Sequence, residues 1–83
     1  MIKVEIITPE KTIHSGTSDE VLVPTVDGIL GIRTGHRPLI TPLKPGVVVI
    51  KQDNGKSATF EIGSGFLEVQ PDQVSIVTRK ATA

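Results

Sequence analysis

The stretch Asp27–Gly46 limits what this chain can fold into more than any other part of it. It holds four glycines and three of the six prolines, with apolar residues between them. Glycine adopts backbone angles that other residues avoid, and proline lacks a backbone N–H donor. Neither a long helix nor one continuous strand can therefore run through this stretch. It predicts short extended pieces joined by turns, and apolar side chains held on such turns make a candidate contact surface.

Outside this stretch, apolar and polar residues alternate with the two-residue period of a half-buried strand, as Ile2, Val4 and Ile6 show. Asn54-Gly55 lies between two extended runs and is the strongest short-range signal of a hairpin. We therefore predict that Val47–Lys51 pairs antiparallel with Ser57–Ile62.

A shorter extended piece is predicted at Lys11–His14, with a turn at Ser15-Gly16 and a bend at Gly63-Ser64-Gly65. No window of ten residues is free of chain breakers and shows helical spacing of apolar residues. Short strands separated by regular turns predict an all-β fold, a sandwich or flattened barrel.

Composition narrows the classes of function. The 83 residues predict one domain, residues 1–83, with a small core. Nine basic and nine acidic residues give no net charge to attract nucleic acid, and two aromatic residues are too few for a stacking platform. The absence of cysteine excludes disulfides and thiol chemistry. The first residues do not form a signal peptide, and no apolar run is long enough to span a membrane.

Catalytic patterns are missing from the sequence. His14 and His36 have no second ligand at metal-binding spacing. A triad of a serine, His36 and Asp27 would lack the G-x-S-x-G turn that supports such a site. The glycines from 28 to 35 lack the ending of a phosphate-binding loop. We predict no catalytic residue, no cofactor and no metal, and therefore a binding or structural protein.

Charge is uneven along the chain. Between Gly28 and Gln52 there are four basic residues and no acidic one: Arg33, Arg37, Lys44 and Lys51. This gap has two interpretations, which the sequence leaves open. It arises by chance because acidic residues are few, or it marks a surface that meets an acidic partner.

These residues also carry a resemblance to a known family. V-D-G-I-L-G-I-R-T-G-H-R-P-L-I-T-P-L-K-P-G-V, followed by G-S-G-F-L-E-V-Q-P-D-Q-V-S-I-V, resembles the epsilon subunit of the F-type ATP synthase across almost the whole chain. The resemblance implies a two-sheet β-sandwich of about ten short strands. It also implies a non-catalytic rotor subunit at the foot of the central stalk that binds the gamma subunit and the ring of c subunits. Such a subunit helps couple proton or sodium flow to ATP synthesis.

The resemblance further implies the location and the contact residues. The subunit would be peripheral, in the F1 sector on the cytoplasmic face of a bacterial plasma membrane, or on the stromal side of a thylakoid membrane, and would meet the membrane only through the complex. The residues implied for the c ring are Val26, Asp27, Gly28, Ile29, Leu30 and Ile32. The residues implied for the gamma subunit or its junction with the ring are Gly35, His36, Arg37, Pro38 and Thr41.

The chain departs from the family pattern in two places. Many members carry an acidic residue at the position of Ile29, so an apolar contact with the ring is expected here in place of a polar one. Most members continue beyond the last strand into a two-helix hairpin that can inhibit ATP hydrolysis. Because this chain stops at Ala83, either the protein is a short member or the sequence is truncated; the first alternative is favoured, and the inhibition is then expected to be absent.

Two other classes of function compete with the rotor. The first is a free-standing β-sandwich that binds a small ligand or a peptide, since fold does not determine function. The second is a hydrolase, which would need a site that the sequence lacks. If the apolar residues of the ring-facing segment are on the surface, replacing Ile29 and Leu30 with Asp preserves the fold. Val49 is expected in the core, so Val49→Asp should unfold the domain.

Overall fold

The computed structural model describes residues 1–52 and 54–83, and within them it contains ten strands and no helix. No helix that could cross a membrane exists in these two segments. The all-β prediction is confirmed. The strands are β1 (Ile2–Ile7), β2 (Thr12–Ser18), β3 (Glu20–Thr25), β4 (Gly28–Ile32), β5 (Leu39–Leu43), β6 (Gly46–Lys51), β7 (Ser57–Ile62), β8 (Gly65–Gln70), β9 (Gln73–Thr78) and β10 (Ala81–Thr82).

The strands form one hydrogen-bonded path in the order β10-β7-β6-β3-β5-β8-β9-β1-β2, with β4 paired to β3. Its two halves join where Thr25 of β3 lies opposite Leu43 of β5. Most neighbours are antiparallel, but β1 runs parallel to β9, and Val4 lies beside Val74. The path folds back on itself, so the architecture is a nearly closed sandwich, as predicted.

The core lies between the two halves and is entirely aliphatic apart from Phe60. Six strands, β1, β3, β6, β7, β8 and β9, contribute alternate residues to it, because successive side chains on a strand point to opposite faces. In β1 these are Ile2, Val4 and Ile6, all fully buried. Each such side chain contributes about 1.5–3 kcal/mol to folding by leaving water. In a domain this small, a few of these residues decide whether the chain folds.

The same alternation corrects the expectation for Val49. In β6 the fully buried residues are Val48 and Ile50, whereas Val49 is half-buried on the opposite face. A run of consecutive valines hides the period of two, so the sequence alone placed the wrong valine in the core. The substitution that buries an unpaired charge is Val48→Asp.

The predicted turn at Ser15-Gly16 is wrong. Both residues lie inside β2, where Gly16 is paired with Val4 of β1 and Ser15 with Glu5. The chain bends at Asp19 instead, and the N–H of Asp19 donates to the carbonyl of Lys51 at 2.8 Å. Pairing with β1 holds Gly16 in an extended conformation, and this tertiary contact outweighs the local turn preference of glycine.

The predicted hairpin is confirmed, with β6 and β7 antiparallel and Lys51 opposite Ser57. Its turn is closed by the N–H of Gln52 donating to the carbonyl of Lys56 at 2.9 Å. Asp53, which was predicted to belong to this turn, lies outside the described residues. The bend predicted at Gly63–Gly65 is also confirmed, because β7 ends at Ile62 and β8 begins at Gly65.

Candidate protein-interaction surface

The tip of the β3–β4 hairpin, residues Val26 to Ile29, is held in one shape by the side chain of Thr25. The Thr25 hydroxyl donates to the carbonyl of Gly28 at 2.6 Å and accepts from the N–H of Asp27 at 3.2 Å. Gly28 has a φ of 122°, a conformation that side-chain-bearing residues rarely adopt. Thr25 itself is buried. The tip is therefore ordered before any partner binds, which lowers the entropy cost of docking.

The residues assigned to the c ring divide between surface and core. Ile29 is 78% exposed and Val26 is 53% exposed, whereas Ile32 is fully buried. Leu30 is half-buried and packs against the core cluster. Asp27 is exposed and Gly28 half-buried. Ile32 therefore offers no side chain to a partner, and Leu30 offers little. Replacing Leu30 with Asp would disturb the core, so the expectation that the double substitution spares the fold does not hold.

The loop Arg33–Pro38 is also held by hydrogen bonds, one within it and one to the β8–β9 turn. The N–H of Gly35 donates to the carbonyl of Pro71 at 2.7 Å, which ties the loop to the β8–β9 turn. The Nδ1 atom of His36 lies 2.8 Å from the carbonyl oxygen of Arg37. Because a carbonyl only accepts, Nδ1 carries the proton. Arg37 and Pro38 are exposed, so this loop presents a basic and a rigid residue to solvent.

In β5 the structure brings a different residue to the surface from the one the sequence predicted. Thr41 is half-buried and lies opposite the fully buried Leu67. Its neighbour Ile40 is 71% exposed. Adjacent residues of the strand L-I-T-P-L point to opposite faces, so Ile40 and Thr41 cannot both face a partner. The resemblance implied Thr41 as the contact residue.

The two predicted contact groups lie at opposite ends of β5. The Arg33–Pro38 loop leads directly into the strand at Leu39. At the other end, the N–H of Val26 donates to the carbonyl of Pro42 at 3.3 Å, which holds the hairpin tip against the end of β5. The strand itself therefore connects the two groups.

An apolar groove lies beside this end of β5. It has a volume of about 460 Å³ and is lined mainly by Pro9, Pro42, Leu43, Phe66 and Val77, and Arg79 is the charged residue among the described residues that line it. Phe66 is 60% exposed. Phe66 is not among the predicted contact residues, so the sequence did not reveal this surface.

The basic excess between Gly28 and Gln52 is partly compensated within the fold. Glu20 lies just outside that range in sequence, and its carboxylate is 3.5 Å from Nε of Arg33 and 3.7 Å from Nζ of Lys51. The basic side chains are 74% and 49% exposed, whereas that of Glu20 is 20% exposed, and each pair contributes about 0–1 kcal/mol to stability. They weaken the argument that all four basic residues await an acidic partner.

The two histidines lie in separate environments. His14 packs against Phe60 with ring centroids 5.2 Å apart, whereas His36 is bound to its own loop. In the described part of the chain, no three His, Cys, Asp or Glu side chains are grouped closely enough to hold a metal ion. Ser64 belongs to the exposed bend before β8.

An ordered hairpin tip carrying an exposed isoleucine, together with an apolar groove, defines a class: a β-sandwich module that binds other proteins. The particular family follows from comparison. The family model described as "ATP synthase, Delta/Epsilon chain, beta-sandwich domain" matches residues 1–83. The chain therefore belongs to this family.

The relatives agree with this assignment. The ATP synthase epsilon chain of Chromohalobacter salexigens is 44% identical over 78 residues, which are 94% of this chain and 55% of that protein. The epsilon chain of Brevibacillus brevis is 38% identical over 78 residues, covering 94% and 59%. The epsilon chain is a subunit of ATP synthase and not its catalytic subunit. This chain therefore spans little more than half the length of these relatives.

Two solved assemblies contain the same fold. A chain of the Euglena gracilis mitochondrial ATP synthase (OSCP, F1 and c-ring) superposes with a TM-score of 0.91 at 24% identity, covering 98% of this chain and 52% of that one. A chain of the Tetrahymena thermophila ATP synthase central stalk and c-ring gives a TM-score of 0.78 at 20% identity, covering 98% and 65%.

Proposed function

We propose that this chain acts as a rotor subunit of an F-type ATP synthase. It lies at the foot of the central stalk, binds the gamma subunit and the c ring, and helps couple transmembrane ion flow to ATP synthesis. It contributes no catalytic group and needs no cofactor. It is peripheral to the membrane, on the cytoplasmic face of a bacterial plasma membrane, and meets the membrane only through the complex.

The observation that carries this proposal is the exposed Ile29 on an ordered hairpin tip. An isoleucine that is 78% exposed leaves most of its apolar surface in water. Burying it against a partner would contribute about 1.5–3 kcal/mol. The hydrogen bond of the Thr25 hydroxyl already orders the turn in the free protein, so ordering the loop on binding costs little free energy. We assign Val26, Asp27 and Ile29 to the ring contact, and Ile29 makes that contact apolar.

The second surface lies around the Arg33–Pro38 loop and the start of β5. Arg37, Pro38 and Ile40 are exposed there, and the loop is tied to the β8–β9 turn by Gly35. We assign this surface to the gamma subunit. The two partners would then meet the domain at the two ends of β5, which suits a subunit wedged between a stalk and a ring.

The first test is binding in solution to the gamma subunit from the same organism. Purified chain and purified gamma subunit are mixed and separated by size-exclusion chromatography. We expect a stable one-to-one complex. If the two proteins elute separately over a range of salt concentrations, the rotor assignment is wrong, and a free-standing ligand-binding sandwich becomes the better explanation of the apolar groove.

The second test addresses the ring. Detergent-solubilised c ring with bound gamma subunit is incubated with wild-type chain, with Ile29→Val and with Ile29→Asp. We expect the valine variant to bind like the wild type and the aspartate variant to bind much more weakly. Equal binding of all three would remove Ile29 from the ring contact while leaving the gamma contact untouched.

A further inference from the structure

The turn between β6 and β7 carries the one asparagine of the chain, Asn54, and the residue that follows it is Gly55. Both residues are exposed. The pair locates the hairpin, but it is also chemically reactive. The side-chain amide of an asparagine can be attacked by the backbone nitrogen of the next residue, and glycine has no Cβ atom to obstruct that attack. The geometry of the turn decides whether the reaction proceeds in the folded protein.

The side chain of Asn54 is held against its own backbone. Its Oδ1 atom accepts a hydrogen bond from the N–H of Lys56 at 3.0 Å. This contact two residues along the chain forms an Asx-turn, in which the side-chain carbonyl folds forward over the next peptide. The Cγ atom of Asn54 is therefore directed to the side of the chain on which the Gly55 nitrogen lies. The hydrogen bond to Oδ1 also withdraws electrons from Cγ and makes it more electrophilic.

Solvent reaches the pair from two sides. Asn54 lines an open cleft of about 390 Å³ that also includes His14. Gly55 lines a second open cleft of about 460 Å³ that also includes Lys51. A Cβ atom at Gly55 would meet no atom of the described residues within 4 Å. There is therefore room for a ring formed by the attack and for the water that later opens it.

One hydrogen bond opposes the reaction. The N–H of Gly55 donates to the carbonyl of Gln52 at 3.1 Å, and the nitrogen must leave this bond before it attacks. Because the turn is exposed, water replaces the lost partner. The net free energy of such a bond corresponds to a rate slower by no more than about tenfold.

We propose that Asn54 is a site of spontaneous deamidation in the folded protein. The Gly55 nitrogen gives up its proton and bonds to Cγ of Asn54, the bond from Cγ to Nδ2 breaks, and ammonia leaves with that proton. A succinimide ring remains. Water then adds to one of the two ring carbonyl carbons: breaking the bond from nitrogen to Cγ yields aspartate, and breaking the bond from nitrogen to the backbone carbon yields isoaspartate. The reaction needs no partner, so it is independent of the rotor assignment.

The two products affect the hairpin differently. Aspartate keeps an oxygen that accepts from the Lys56 N–H, so the turn persists and gains a negative charge. Isoaspartate carries the backbone through its side-chain carbon and adds a methylene between Gln52 and Lys56, whose 2.9 Å hydrogen bond closes the turn. The turn geometry then no longer matches the register in which Lys51 lies opposite Ser57. Isoaspartate therefore weakens this end of the sandwich.

The Asp27-Gly28 pair is a comparison within the same chain. The same ring forms there by loss of water, but a carboxylate is a weaker electrophile than an amide. The Thr25 hydroxyl also restrains this peptide, because it accepts from the N–H of Asp27 at 3.2 Å and donates to the carbonyl of Gly28 at 2.6 Å. We expect isoaspartate to accumulate at Asn54 before it accumulates at Asp27.

The test compares the rate of deamidation in the folded and the unfolded chain. The full chain is incubated in mildly alkaline buffer with and without guanidinium chloride and is then digested at acidic pH. Mass spectrometry follows the peptide that contains Asn54, and labelling by an isoaspartate-specific methyltransferase separates the two products. We expect the folded chain to react within about tenfold of the rate of the unfolded chain. Reaction through rare global unfolding would be slower by much more than about tenfold, because the unfolded fraction of a stable domain is small.

Two variants sharpen the outcome. Gly55→Ala places a Cβ atom beside the attacking nitrogen and should slow the reaction in the unfolded chain as well as in the folded one. Asn54→Asp reproduces one product and should keep the denaturation midpoint of the wild type, whereas the purified isoaspartate form should unfold at lower denaturant. If the folded chain keeps Asn54 intact while the unfolded chain deamidates, the turn blocks the reaction and the proposal is overturned. An unreactive Asn54 in both states, or a Gly55→Ala variant as fast as the wild type, would also overturn it.

Discussion

Two turns of this domain both contain glycine, but the glycine has a different structural role in each. One is the Asp27–Gly28 turn between β3 and β4, and the other is the Gly63–Gly65 turn between β7 and β8. Each is followed by an exposed apolar residue, and each is braced by a buried threonine hydroxyl. At the first turn Thr25 bonds to its own hairpin. At the second, Thr78 reaches across from β9.

The glycines of the two turns are required for different physical reasons. Gly28 has a positive φ, and a Cβ atom there would meet nothing within 4 Å. Gly65 has no unusual φ, yet a Cβ atom there would lie 2.7 Å from the Thr78 Cα atom and overlap the Val77 carbonyl. The first glycine is needed for its backbone angle and the second for its lack of volume. The first turn leaves the isoleucine that follows it exposed, and the second allows β8 to lie close against β9.

The largest expected effect is that of Gly65→Ala. The added methyl group meets backbone atoms of β9, which cannot move aside as a flexible side chain can. We expect the free energy of unfolding to fall by about 3 kcal/mol or more, at or beyond the upper end for overpacking. Urea denaturation of the two proteins measures this difference. A decrease of less than about 1 kcal/mol in the free energy of unfolding would show that β8 and β9 separate easily. The second turn would then have as much room for a Cβ atom as the first.

Thr78→Val is expected to come next. The Thr78 hydroxyl lies 3.0 Å from the carbonyl of Gly63, 3.2 Å from that of Ser64 and 3.1 Å from that of Lys80. The hydroxyl has one proton, so it donates a hydrogen bond to one of these three carbonyl oxygens at a time. Valine keeps the shape and leaves them without this donor, at a cost of about 1–3 kcal/mol. The matched change Thr25→Val should cost about 1 kcal/mol, because its partners lie nearer to solvent. Equal losses in urea denaturation would contradict the distinction between the turns.

Gly28→Ala is expected to cost less than Gly65→Ala. No atom obstructs the new methyl group, so only the strained backbone angle of 122° opposes it. Such strain amounts to about 1–2 kcal/mol. We also expect the free energy of ring binding to fall by more than the free energy of unfolding does, because the tip changes shape. A variant that is destabilised as strongly as Gly65→Ala would mean that the tip is packed against the body of the domain.

Ile29→Asp should have the smallest effect on stability and a large effect on assembly. The side chain is 78% exposed, and surface substitutions of this kind change the free energy of unfolding by no more than about 0.5 kcal/mol. A melting temperature close to that of the wild type, together with lost ring binding, would separate the contact role from folding. A collapse of thermal stability would place Ile29 in the core and end the argument for the tip as a contact surface.

The sequence predicted those parts of the fold that depend on local chemistry. Asn54-Gly55 located the β6–β7 hairpin, and the alternation of Ile2, Val4 and Ile6 located a core-facing strand. It failed where distant pairing decides the conformation. Gly16 is extended because β1 lies beside it, and nothing within a few residues of Gly16 carries that information.

The contact surface was predicted less completely than the fold. Asp27–Gly46 pointed to exposed apolar residues, and Ile29 and Ile40 are indeed exposed. The sequence could not show which residues of a consecutive apolar run face outward, so it included Ile32 and passed over Phe66. Phe66 joins Pro42 and Val77 only through the order of strands in the sheet. That order is a property of the whole fold.

The parallel pairing of β1 with β9 bears on how the domain comes into being. Strand β1 has one neighbour close in sequence, β2, and one, β9, that is distant in sequence, because Val4 lies beside Val74. Contacts between segments so far apart carry a large loop-closure entropy, and domains built on them fold in milliseconds to seconds. During synthesis one edge of β1 therefore remains unpaired until β9 has left the ribosome. In that interval a nascent chain is more exposed to aggregation than the finished sandwich.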